Sequence, residues 1–200
     1  MGSISNRKLS TGQYEVLYVE YTEPEWKLTV FSEARSSRAY KIGTGSIPGT
    51  VTTLGPFADP LPVALTGTVT LTNGSASIVG VATLFTTELV EGDVVMLADG
   101  KILGRIVTTP TGDLAADLDA NWEGATAGPG VTLYKATMIE RTLPNGGSAS
   151  FILPRDISGT TILTRKYLYI EAVNAPIIYD LVVQGVDVHS VRDSLAIETV

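Results

Sequence analysis

The sequence predicts an all-β protein, a β-sandwich or barrel-like body carrying a small inserted β-barrel-like module. Three observations predict it. Aromatic and β-branched residues cluster in short runs with a period near two. Asn-Gly and Asp-Gly dipeptides stand between such runs, where hairpin turns need them. Twenty glycines and ten prolines punctuate the 200 residues at short intervals, as sheets joined by tight turns require.

Taken in sequence order, Tyr14 to Tyr21 and Trp26 to Phe31 read as strands, with Glu23-Pro24-Glu25 as the turn between them. Gly43 to Pro62 is rich in glycine and proline and reads as an extended connection with little room for regular pairing. Gly67 to Thr72 and Ser75 to Val79 flank Asn73-Gly74 and predict a hairpin with positive φ at both turn residues. Asp93 to Leu97 and Lys101 to Val107 flank Ala98-Asp99-Gly100 and predict a second. Further strands are expected at Val131 to Arg141, Ser148 to Leu153, Tyr167 to Val173 and Ile177 to Val186. The only helix candidates are short: about one turn at Thr86 to Val90, and Leu114 to Leu118, which could instead be a turn or a strand. The expected organisation is a β body of residues 1–62 and 138–200, with an acidic β module at 64–137 inserted between its strands. Two or three domains in series are the alternative.

Composition narrows function. The absence of cysteine excludes disulfides, zinc-thiolate and iron-sulfur sites and thiol catalysis. Apolar residues reach 44%, yet no run approaches the ~20 that a membrane-spanning helix needs, so a soluble protein is expected. The N-terminus has Arg7 and Lys8 but no apolar stretch after them and does not read as a secretory signal. A net charge of −7 argues against nucleic acid as a direct partner. The acid is concentrated: Thr66 to Thr137 holds eight acidic and three basic residues, a local net charge of −5, and the rest is near neutral.

Candidate chemistry is sparse. His189 is the only histidine, and in Asp187-Val188-His189-Ser190 alternation along a strand puts Ser190 on the face opposite Asp187 and His189, so a hydrolytic triad is disfavoured. Gly43 to Gly49 resembles a phosphate loop only superficially, because Pro48 stands where a helix would start and no lysine is placed to reach a phosphate. Asp117-x-Asp119-x-Asn121 begins like a calcium loop, but Trp122 occupies the required glycine position and Gly128 the twelfth. Asn73-Gly74-Ser75 matches a glycosylation sequon that the hairpin itself explains. Trp26, Tyr14, Tyr18, Tyr21 and Tyr40 could stack on sugars, but aromatics are only 7% of the residues and core packing claims most of them. No catalytic, cofactor-binding or metal-binding residue is assigned, and a non-enzymatic protein is expected.

One resemblance spans residues 66 to 135. Thr68 to Gly80, then Thr83-Leu84-Phe85, then Leu89-Val90-Glu91-Gly92-Asp93-Val94-Val95, resembles a β module recurrent in bacteriophage tail, fibre and head-surface proteins. In that pattern a hairpin is followed by a Gly-x-x-Thr-x-Phe turn, a Leu-x-x-Gly-Asp step and a short Asp-Gly turn. Ala98-Asp99-Gly100, Ile102, Ile106 and Trp122-Glu123-Gly124-Ala125-Thr126 continue it. The sequence departs at Ala115 to Ala120, where an Ala/Asp-rich stretch replaces a polar-aliphatic strand. The resemblance implies a small barrel core of Phe85, Leu89, Val94 and Ile106 and a turn at Gly92-Asp93. By analogy it implies a phage virion structural protein, in particular a capsid decoration or cement protein on the capsid surface, made in the host cytoplasm. Such a protein would bind the major capsid protein and associate with its own copies, three-fold assembly being a family-level expectation. The alternatives are a tail, baseplate or fibre component, or a carbohydrate-binding module. Contacts are expected at the termini, through Ile4, Arg7, Lys8 and Leu9 and through Leu195, Ile197 and Val200, because a short strand with open hydrogen-bonding groups can extend a neighbour's sheet. A disordered tail is the competing reading of both segments.

Overall fold

A computed structural model describes residues 2–19, 25–31, 38–44, 53–54, 57–58, 62–136, 138–143, 147–154, 156–158, 161–163, 167–183 and 188–193. The fold is all-β and antiparallel, with one short helix among the described residues. No sheet closes into a barrel among these residues, so the barrel-like expectation gives way to open sheets. The protein divides into two compact units. One comprises Met1–Thr44, Val51–Asp59 and Met138–Val200, the other Gly45–Thr50 and Pro60–Thr137.

The first unit is built on two sheets. One orders its strands Gly2–Leu9, Ile177–Val183, Glu25–Phe31, Ser148–Pro154, and the other Ile139–Leu143, Arg38–Thr44, Tyr167–Ala172, Tyr14–Val19, Val188–Asp193. A polar contact joins them. Arg7 and Tyr179 are register partners in the first sheet, and both reach Glu15 of the second: Arg7 Nε lies 2.9 Å and Tyr179 Oη 2.5 Å from Glu15 Oε2. Leu9, Ile177, Tyr179 and Leu181 are fully buried, as is Leu17 beyond Glu15. The opposite face of the Tyr14–Val19 and Tyr167–Ala172 pair is buried too: Tyr14 stacks on Tyr169 with ring centroids 5.2 Å apart, and Tyr169 Oη donates to Glu171 Oε2 at 2.7 Å. Strands covered on both sides read as continuous apolar runs, which is why Tyr14-Glu15-Val16-Leu17 shows little alternation.

Within the Gly/Pro-rich connection, Thr53–Leu54 pairs with Phe57–Ala58, a two-residue ladder not expected from the sequence. Most of that connection, the Glu23-Pro24 turn and Tyr21 lie outside the described residues.

The second unit packs two four-stranded sheets around one core. Ile102–Arg105, Val94–Leu97, Leu133–Lys135 and Val63–Ala64 form one, and Ala115–Asp117, Ser77–Val81, Thr68–Leu71 and Ala127–Val131 the other. Leu65, Val69, Leu71, Ile78, Phe85, Leu89, Val95, Leu103, Ile106, Leu118, Trp122 and Leu133 fill the space between. Burying such side chains stabilises by about 1.5–3 kcal/mol each. Phe85, Leu89, Val94 and Ile106 are all buried. Val94, however, is not part of that cluster, which takes its strand neighbour Val95 instead, the outcome of alternation along a strand.

Both hairpins form, with Thr68–Leu71 against Ser77–Val81 and Val94–Leu97 against Ile102–Arg105. The first is wider than a two-residue turn. Leu71 pairs with Ile78, and Ser75 and Ala76 bond instead to the Leu118 to Trp122 segment through Trp122 N to Ser75 O and Leu118 N to Ala76 O, each 2.9 Å. Gly74 has φ +74°, whereas Asn73 keeps a negative φ, so only one of the two predicted left-handed residues is left-handed. The Phe85–Glu88 helix has no side-chain N-cap. Two distant contacts hold it: Asp113 Oδ1 accepts from Thr86 N and Oγ1 at 3.0 and 2.5 Å, and the Glu88 carboxylate accepts from Thr66 N and Oγ1 at 3.0 and 2.7 Å.

The Gly-x-x-Thr-x-Phe turn has a steric reason. A Cβ at Gly80 would collide with Thr83 Oγ1, the hydroxyl that donates to the Asp113 carbonyl. Gly80→Ala is therefore expected to destabilise the unit by about 1–3 kcal/mol through overpacking. Adding Thr83→Ala should return part of that loss in urea unfolding; equal stability of Gly80→Ala and the parent protein would refute the packing account.

Candidate interaction surfaces

The predicted N-terminal contact residues fall on the edge strand Gly2–Leu9, paired on one side with Ile177–Val183 and at the end of its sheet. The edge is broken by a bulge: register shifts between Ile4 and Arg7, Asn6 takes φ +52°, and its N–H donates to Asp180 Oδ1 at 2.6 Å. Bulges and edge lysines are how sheets discourage indiscriminate pairing. Among the named residues, Ile4 sits opposite Leu181, Arg7 is engaged with Glu15, and Lys8 is exposed. Leu9 is a correction: it is fully buried, its surface taken by the core of its own unit rather than offered to a partner. Leu195, Ile197 and Val200 lie outside the described residues.

Sequence reasoning missed a second surface. The outward side of the Ser77–Val81 strand carries Val79 and Val81, each more than half exposed, with Ala115 in register opposite Val79 and Thr68 and Thr70 on the other flank. Leu114 and Val107 are exposed in the same unit, and a cleft of about 280 Å³ opens among Thr108, Thr109, Pro110, Thr111, Ala115 and Asp117. The signal is present in Ser77-Ile78-Val79-Gly80-Val81, which is apolar at positions of both parities. A strand with one wet face would alternate.

Charge around this face is one-sided. Arg105 pairs with Asp119 at 3.3 Å, Lys135 with Asp93 at 2.8 Å, and Lys101 lies 4.3 Å over the Trp122 ring, so all three cations of the acidic segment are engaged within it. Asp117 and Asp113 border the valine face, and the two Thr86 hydrogen bonds hold the Asp113 carboxyl below its ordinary value.

The chemical candidates resolve into structure. Asp119 of the calcium-like run accepts from Arg105 N at 2.9 Å as well as from its guanidinium. No cluster of three metal-ligating side chains occurs among the described residues. Tyr14 is a core residue and offers no sugar platform. His189 occupies the position opposite Tyr18 and Ser190 that opposite Leu17, and Asp187 lies outside the described residues. No described helix is long and apolar enough to cross a membrane. No protein-family model, curated protein or solved structure matches the sequence or the fold.

Proposed function

We propose that this is a non-enzymatic bacteriophage structural protein, a capsid decoration or cement protein that binds the major capsid protein and stabilises the assembled shell. The observation that carries this reading is that several residues of the phage-module pattern have a packing or turn role in the second unit. Gly80 makes room for Thr83, and Phe85 and Leu89 fill the core. Asp93 caps its own turn by accepting from Val90 N at 2.8 Å. Gly124 lies where a Cβ would collide with the Trp122 ring, while Trp122 Nε1 donates to Ala125 O at 2.9 Å. These packing and turn roles support the reading.

The mechanism is mass action. A protein that binds only the assembled shell stabilises it by its binding free energy, about 2.7 kcal/mol at a free concentration one hundred times Kd. The exposed Val79 and Val81 face and the Gly2–Leu9 edge are the surfaces offered for contact with the shell or with further copies of the protein. Co-sedimentation with expanded capsids lacking the protein tests the reading. Saturable binding at a fixed ratio to the shell subunit is expected, with gained heat or chelator resistance. A Val79→Asp/Val81→Asp variant, which leaves the buried Ile78 in place, is expected to bind less. Absence of binding by the parent protein at every salt concentration would favour a tail, baseplate or fibre component.

A further inference from the structure

We propose that Asn73-Gly74 is a latent modification site whose conversion to aspartate or isoaspartate is gated by the Trp122–Thr126 segment. The chemistry needs only water. The Gly74 amide nitrogen loses its proton and attacks Asn73 Cγ; the new bond to that carbon forms as the Cγ–Nδ2 bond breaks and ammonia leaves. Water then opens the cyclic imide at either carbonyl. Asn-Gly is suited to this reaction because glycine has no side chain to hinder its own nitrogen, and both residues are exposed to water.

In the folded unit each reacting group is tied elsewhere. Gly74 N–H, the nucleophile, donates to Trp122 O at 2.8 Å. The Asn73 carboxamide donates through Nδ2 to Gly124 O at 2.9 Å, and Asn73 N–H donates to Thr126 Oγ1 at 3.1 Å. The clamp is itself anchored. The Trp122 ring is buried, its Nε1 is bonded to Ala125 O, Lys101 covers its face, and Gly124 fits against it. Ring closure therefore requires this segment to lift off the turn, a local opening rather than global unfolding. Conversion removes the Nδ2 donor from Gly124 O and adds a negative charge to a segment already at net −5. Each opening that ends in reaction thus leaves a looser turn behind.

The test is incubation of the full-length protein at mildly alkaline pH, native and in denaturant, with peptide mapping that separates Asn73 from the second such pair, Asn145-Gly146. Conversion at Asn73 is expected at least about tenfold slower in the native protein, the factor set by the opening equilibrium. Trp122→Phe, which keeps a ring but loses the bond to Ala125 O, is expected to raise the native rate several-fold. Equal rates in native and denatured protein would overturn the proposal, and so would a folded Trp122→Phe variant with an unchanged rate. If that variant does not fold, hydrogen exchange at the Gly74 amide of the parent protein decides: less than about tenfold protection overturns the gate.

Discussion

Replacing Phe85 with alanine is expected to lower the stability of the inserted unit by about 3–5 kcal/mol. Phe85 is fully buried at the start of the short helix, in the cluster formed by both sheets of its unit. The helix has four residues and no side-chain cap, so it cannot shift inward to refill the space without losing the contacts of Thr86 with Asp113 and of Glu88 with Thr66. A residual cavity is the result, and cavities rather than lost transfer energy give the upper part of the range. Domains are stable by only about 5–15 kcal/mol in total. The measurement is urea unfolding in a Trp26→Phe background, where the fluorescence is that of Trp122 alone. Phe85→Leu, which keeps most of the volume, should cost under about 1.5 kcal/mol, and similar losses for both variants would mean that Phe85 is not the keystone of this core.

The second large effect is expected at Glu15. This carboxylate is 1% exposed and is held by Arg7 and Tyr179 across the two sheets of the first unit. Removing one partner of a buried ion pair costs about 3–5 kcal/mol, because the remaining charge is left without compensation. The Arg7 side chain is 36% exposed, so water partly substitutes for it and Arg7→Met should fall nearer about 2–3 kcal/mol. Adding Glu15→Leu removes the stranded charge, adding Tyr179→Phe removes the hydroxyl that donated to it, and together they should recover most of the loss. A triple variant no more stable than Arg7→Met alone would show that the contact contributes through geometry rather than through charge compensation.

The parts legible in the sequence are those written in local chemistry. Asn73-Gly74 and Asp99-Gly100 mark the two hairpins because glycine is needed at a left-handed turn position, and Gly74 and Gly100 both take positive φ. The width of the first hairpin is not legible, since Ser75 and Ala76 are claimed by a segment more than forty residues away. The Ala115 to Ala120 stretch is poor in β-branched residues. Ala115–Asp117 is nevertheless a strand, because its ladder to Ser77–Val79 supplies what propensity does not. Glu15 stands among apolar neighbours, and nothing local reveals that Arg7 and Tyr179 meet it from another sheet. For the interaction surfaces the same limit holds. The edge position of Gly2–Leu9, the burial of Leu9 and the exposure of Val79 and Val81 all depend on which strands pair and which side of a sheet faces a core.

The longer segment of the second unit, Pro60–Thr137, ends beside its own start. Val63 and Ala64 are laddered to Lys135 and Tyr134, so its entry and exit strands run side by side, about 5 Å apart at the register pairs. Such an arrangement makes the unit a cassette. Pro62 and Ala136, next to the paired strands, are the positions between which the segment 63–135 could be removed as one piece.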